Sequence, residues 1–242
     1  MNLKLGMCGF TIGARAYYKR FTVVEVQQTF YDPPPPETLA RWRAEAPADF
    51  EFTMKAWQVI THRGTSRTYR RLRSAFSDKA RAEAGAFRVN ETVMGAWKTT
   101  VDCAHLLKAT AIVFQCPPSF RATDENVNAM VEFFGMIERP DGVLLMWEPR
   151  GRWPDDLVLS LCTELQLVHV VDPFIRSSLT RPPPLYWRLH GNRSHYARYT
   201  DDELRQIRAW IPDDENGDAY VMFNNVPRVQ DVKRFRELGL DD

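Results

Sequence analysis

The chain has 242 residues, 44% of them hydrophobic and 26% charged, with a formal net charge of +1. That length suits one barrel of alternating strands and helices, and the composition excludes a disordered or fibrous chain. The near-neutral balance also excludes a whole-molecule field for nucleic acid or membranes, so any basic function must be local.

Strand patterns are short and rich in β-branched and aromatic residues. They fall at 3–10, 22–28, 50–56, 110–116, 143–147, 167–171, 185–191 and 219–223. Helical spacing separates them. Leu39, Trp42 and Arg43 follow the stiff connector Pro33 to Pro36. Val93, Trp97, Val101 and Ala104 make a stripe, as do Val127, Met130, Val131, Phe134 and Ile137. Leu157, Leu161 and Leu165 make another, Thr200 and Glu203 read as a capping box, and Val232, Phe235 and Leu238 close the chain. Eight strand–helix units predict a single (β/α)8 TIM barrel over 1–242, with its function at the C-terminal ends of the strands.

One interval breaks the rhythm. The gap between Lys55 and Gln115 is too long for one crossover, which places an insertion at about 61–90 after the third strand. Between 61 and 81 it carries seven Lys or Arg residues against the single acid Asp78. It reads either as a mobile basic lid that contacts phosphates or as an ordinary solvated face.

The cysteines Cys8, Cys103, Cys116 and Cys162 form no C-x-x-C pair, which fits reduced thiols in a cytoplasmic protein. The first residues run straight into a strand pattern without signal-peptide character, and no apolar run approaches the about 18 residues of a membrane span. No membrane partner is expected, and nothing sets an oligomeric state.

The apolar runs end in polar residues. Strand side chains alternate between faces, so Glu25 pairs with Gln27, Glu148 with Arg150, and Arg188 with His190. If those faces point into the barrel mouth, Glu25, Lys55, Gln115, Glu148, Arg150, Asp172, Arg188, His190 and Asn224 converge. Lys55, Arg150 and Arg188 are then expected to clamp a phosphate or carboxylate. Glu148 or Asp172 suits a general base and His190 a general acid, while Gln115 and Asn224 orient hydroxyls or water. The plainer reading is an ion-pair network that only holds the barrel top together. Glu25, Glu148, Asp172 and His190 are also suitable ligand types for a divalent metal, although the neighbouring cations oppose it. Lys55 offers a further route, a Schiff base. His169 reads as a satisfied core group.

These segments resemble the domain-of-unknown-function family 72, the YecE-like barrels. The matching stretches are Gly6-x-Cys8-Gly9-Phe10, Val24-Glu25-Val26-Gln27-Gln28-Thr29-Phe30-Tyr31, Phe52-Thr53-Met54-Lys55-Ala56, Ile60-Thr61-His62, Phe114-Gln115-Cys116-Pro117-Pro118, Trp147-Glu148-Pro149-Arg150, Arg188-Leu189-His190-Gly191 and Phe223-Asn224-Asn225. The Gln27-Gln28 and Glu148-Pro149-Arg150 wording resembles the archaeal branch; the bacterial branch carries Asn at Gln27 and Trp at Phe10. The resemblance implies an eight-stranded barrel and adds His62 to the anion-binding candidates. Kinship of such barrels with endonuclease-IV-like and xylose-isomerase-like enzymes implies a phosphodiester or sugar substrate, although the chain lacks the histidine richness of a multi-zinc site.

The expected protein is a cytoplasmic, hydrolase- or lyase-like enzyme. It acts on a small anionic, phosphorylated or nucleic-acid-derived substrate by acid–base chemistry, without an obligatory cofactor. The alternatives are a metal-dependent nuclease or sugar-phosphate isomerase, and a non-catalytic barrel that binds nucleic acid or another polyanion.

Overall fold

The computed structural model describes residues 1–180, 184–213 and 216–241. Eight parallel strands close into a barrel in sequence order: β1 (Asn2–Cys8), β2 (Val23–Val26), β3 (Glu51–Lys55), β4 (Ala111–Gln115), β5 (Leu144–Glu148), β6 (Val168–Val171), β7 (Leu185–Leu189) and β8 (Asp218–Phe223). β8 pairs with β1 over six residues, Asn2 opposite Asp218 through Met7 opposite Phe223. The helices are α1 (Ala14–Tyr18), α2 (Gln28–Tyr31), α3 (Pro36–Glu45), α4 (Gln58–Thr61), α5 (Asp78–Glu83), α6 (Glu91–Leu107), α7 (Asp124–Met136), α8 (Asp155–Glu164), α9 (Asp201–Ala209) and α10 (Arg228–Glu237). Local chemistry sets their starts: Asn90, Thr123 and the Thr200–Glu203 capping box satisfy the first backbone N–H groups of α6, α7 and α9.

Strand alternation sorts the core into two parts. Phe52, Phe114, Trp147, Trp187 and Phe223 face the helices and belong to the large apolar layer between sheet and helices. Val23, Ala111, Val113, Met146, Val170, Tyr186 and Met222 fill the barrel interior as a separate cluster. At Gly6 a side chain would come within 2.6 Å of the Val23 carbonyl oxygen and 3.0 Å of Met222, so the residue leaves room where β1 meets its neighbours. The interior positions one step further along each strand are the polar ones, including Glu25, Lys55, Gln115, Glu148 and Arg188, and parity therefore delivers them to one rim.

The 61–90 segment is an insertion that is tied to the barrel at several points. It holds a 3₁₀ turn at Arg67–Arg71 and the short α5. The Tyr69 hydroxyl donates to the His62 carbonyl at 2.9 Å, and the Gly85 and Phe87 N–H groups donate to Val59 and Ile60. Phe87 is fully buried against Phe114, Phe120, Phe133 and Phe134. Tertiary packing of this kind overrides the polar composition of the segment. The cations are on its exposed side, and Arg71 stacks on Tyr31 at 3.5 Å.

Candidate functional site

Arg188 is the hub of the rim. It is fully buried, and four of its five N–H donors are committed. Nε reaches Glu25 Oε2 at 3.0 Å and Nη2 reaches Glu25 Oε1 at 2.9 Å, a fork-on-fork pair. Nη1 donates to Gln115 Oε1 at 3.1 Å and to Glu148 Oε2. Burial disfavours charge on the guanidinium, but Glu148 and Glu25 outweigh it and hold Arg188 charged. Burial would likewise raise the Glu148 carboxyl, yet Arg188 and then Arg150 keep it far below the ordinary carboxylate range. Where Arg188 was expected to clamp an anion, two carboxylates and an amide already take most of its fork. Arg188 is a positioning residue that fixes Glu25, Gln115 and Glu148.

On the β5–β7 side stand Asp172, His190 and Arg150. Asp172 is pinned by the backbone, with its oxygens accepting from the Phe174 N–H at 3.1 Å and the His190 N–H at 2.9 Å. Asp172 Oδ2 also lies 3.3 Å from His190 Nδ1, while Nε2 meets Arg150 Nη2. A guanidinium only donates, so Nε2 carries the lone pair and Nδ1 the proton. Burial lowers the pKa of His190 against the opposing pull of the Asp172 hydrogen bond, which favours the neutral ring. Arg150 Nε donates to Glu148 Oε1 at 2.6 Å, and its side chain stays about one-third exposed. These groups open onto a cleft of about 260 Å³ lined by Pro118, Glu148, Arg150, Asp172, Arg176 and His190.

The β3–β4 side is different. Lys55 Nζ lies 3.6 Å from the centre of the Phe30 ring and 2.9 Å from Gln115 Oε1. Burial, then Arg188, lowers its pKa to about 7. His62 stands edge-on to the same Phe30 ring at 4.9 Å, with Nδ1 paired to the Thr61 hydroxyl at 2.8 Å. Burial, then Lys55 and Arg150, lowers its pKa to about 3, so this imidazole is neutral.

Two further groups belong to the rim. Tyr186 donates its hydroxyl to Glu25 Oε2 at 2.9 Å and stands 2.7 Å from Thr53 Oγ1, and Gln27 Nε2 also donates to Glu25. Tyr186 shares the parity of Arg188, which is the signal that could have found it. Asn224 ends β8 half-buried, and among the described residues only its backbone N–H bonds, to the Leu189 carbonyl at 2.8 Å. Its neighbour Asn225 is the fully buried one, donating to Ala197 and Asp231 and tying the last loops together. His169 is buried with Nδ1 accepting from the Leu179 N–H at 3.2 Å, but it is not the satisfied core group expected: its buried Nε2 has no hydrogen-bond partner among the described residues, and the residue lines the same cleft.

The candidate metal ligands do not fit an ion. Among the described residues no three His, Cys, Asp or Glu side chains are grouped to hold one. The Arg188 guanidinium occupies the place between Glu25 and Glu148 that a cation would need.

A closed (β/α)8 barrel whose titratable side chains gather at one rim defines the class of protein. Within that class the chain belongs to the family described as "Protein of unknown function DUF72", whose family model matches residues 14–239. The UPF0759 protein YunF of Bacillus subtilis (strain 168) is 30% identical over 114 residues, which cover 47% of this chain and 34% of that protein. The matched stretch thus spans about a third of that relative. A crystal structure of a DUF72 family protein from Enterococcus faecalis V583 superposes with a TM-score of 0.74 at 21% identity, over 98% of this chain and 96% of that one. The endonuclease IV of Thermus thermophilus shares the fold at a TM-score of 0.58 and 10% identity, over 99% of this chain and 100% of that one. Among the described residues no helix is long and apolar enough to cross a membrane.

Proposed function

We propose that this barrel is an enzyme acting on a small anionic, phosphorylated substrate by acid–base chemistry in the cleft between β5, β6 and β7. The observation that carries this is the His190 imidazole at the cleft wall, held by Asp172 on one nitrogen and accepting from the part-exposed Arg150 on the other. A buried imidazole oriented by a carboxylate is the arrangement a general base requires. Arg150 contacts that lone pair from a part-exposed position, so an anion that attracts Arg150 also frees the base. Lys55 adds positive potential from the opposite side whenever it is protonated, Gln115 and Asn224 supply neutral polar contacts, and His62 walls the β3 side. The four buried free cysteines support a reducing, cytoplasmic setting.

Thermal shift with inorganic phosphate and a panel of sugar phosphates tests the reading. The wild type melts higher in the presence of its ligand, by the binding free energy linked to folding, and Arg150→Ala loses most of that response. With the responding sugar phosphate as substrate, His190→Ala lowers kcat by about 10²–10⁴-fold while folding normally. A melting temperature unmoved by the whole panel overturns the proposal.

A polyanion such as a nucleic acid is the second reading. Arg67, Arg70 and Arg73 are exposed beside the mouth, and among the described residues none of their side chains forms an ion pair. Charge removal at Arg70 and Arg71 then weakens polyanion binding and flattens its salt dependence.

A further inference from the structure

We propose that Lys55 is a second reactive group of the mouth, an amine that condenses with the carbonyl carbon of a small aldehyde or ketone to form an imine. The proposal rests on the mouth being the working face and narrows the anionic substrate to a carbonyl compound. It does not need His190.

The argument begins with what Lys55 lacks. A buried ammonium ordinarily stands against a carboxylate. The acids nearest in the rim, Glu25 and Glu148, are both turned to Arg188. Among the described residues no carboxylate oxygen comes within the 4.0 Å of an ion pair with Lys55 Nζ. The amine has instead an aromatic face at 3.6 Å and one neutral acceptor, Gln115 Oε1, at 2.9 Å.

The groups that set its charge come from several elements. Burial and Arg188 on β7 disfavour the ammonium most, Glu25 on β2 and Glu148 on β5 favour it, and Arg150 disfavours it again. The balance leaves an amine that loses its proton near neutrality, at a pKa of about 7, where an exposed lysine is almost wholly protonated. His62, the titratable neighbour just after α4, is neutral and adds no charge. This is a desolvated lysine beside another cation, the setting that activates the amine as a nucleophile.

The step balances without a co-reactant. The Nζ lone pair forms the new C–N bond and the carbonyl oxygen takes up a proton, giving a carbinolamine. Loss of the hydroxyl as water, with release of the second nitrogen proton, leaves the imine. Gln115 assists from its other end. Its Oε1 is turned to Lys55 and Arg188, so its amide N–H groups are available to the carbonyl oxygen.

Reductive trapping on the full chain tests this. The protein is incubated at neutral pH with glyceraldehyde phosphate and sodium cyanoborohydride, which reduces an imine to a secondary amine, and the adducts are mapped by peptide mass spectrometry. Of the seven lysines in the chain, Lys55 is expected to be labelled first, at least about tenfold faster than Lys79 and Lys233, which are 74% and 75% exposed. The Lys55 labelling rate levels off above pH about 7 while the surface rates keep rising. Lys55→Met loses the fast label without losing the fold, and if that variant does not fold, the wild-type map alone decides. His190→Ala keeps the fast label. A Lys55 that stays unlabelled, or reacts no faster than Lys79, overturns the imine. If phosphate still raises the wild-type melting temperature through Arg150, that same result leaves the acid–base reading standing, so the two failures are distinguishable.

Discussion

The floor and the mouth of this barrel both bury acids, and they satisfy them in different ways. At the floor, Glu51 accepts from Lys4 at 2.9 Å, from Thr110 at 2.5 Å and from Tyr220. Burial would raise its pKa, but the hydrogen bonds from Thr110, Tyr220 and Lys4 outweigh burial and lower it. One acid meets one cation and two hydroxyls. At the mouth, two buried acids share one fully buried arginine, and next to that set stand an amine without a counter-ion and an imidazole whose Nε2 is covered only by the part-exposed Arg150. A closed set stabilises; groups left over from it are available for chemistry. The same strand alternation builds both ends, so the difference comes from which side chains occupy equivalent positions.

That contrast breaks most visibly at Arg188. Replacing it with Ala leaves Glu25 buried without a cation and Glu148 with Arg150 alone, and is expected to cost about 3–5 kcal/mol in urea denaturation. A loss below about 1 kcal/mol would show that the mouth relaxes around water and that Arg188 is no hub.

Acid should expose the neutral histidines next. His62 and His169 have folded pKa values of about 3 and about 4, below the ordinary 6.5. Between those values and 6.5 the unfolded chain binds the extra protons, so stability is full above pH 6.5 and is lost as pH falls toward 3. His62→Gln should roughly halve the slope between pH 6.5 and 4 and remove the decline below 4. Lys55 acts in the opposite range: its folded pKa is lowered, so stability rises with pH between about 7 and 10.5, and Lys55→Met should remove the rise. A flat stability profile between pH 7 and 10.5 in the wild type would place the ammonium in a solvated site.

The floor gives the smallest effect. Glu51→Gln keeps the shape and most hydrogen bonds and loses one part-exposed ion pair, so it should cost about 1 kcal/mol or less. A cost equal to that of Arg188→Ala would erase the distinction between the two ends.

Much of this was legible in the residues. The strands lie within two positions of their predicted bounds, because apolar β-branched runs and turn residues are local signals. Parity alone brought Glu25, Lys55, Gln115, Glu148 and Arg188 to one rim. Barrel closure, which is not local, decides their partners: Glu25 on β2, Glu148 on β5 and Arg188 on β7 meet only when the sheet closes, so the commitment of Arg188 could not be read in advance. The docking of the 61–90 segment was hidden for the same reason, since the aromatic partners of Phe87 come from β4, α7 and the loop between them. In the pair Asn224-Asn225 the sequence does not say which amide the loop buries.

The state of His190 tests the central claim most directly. Imidazole ¹⁵N spectra of the wild type, titrated with phosphate, should show a neutral ring protonated on Nδ1, with a pKa below 6.5 and an Nε2 resonance that moves as phosphate draws Arg150 away. A ring that is charged at neutral pH, protonated on Nε2, or indifferent to phosphate would contradict the account.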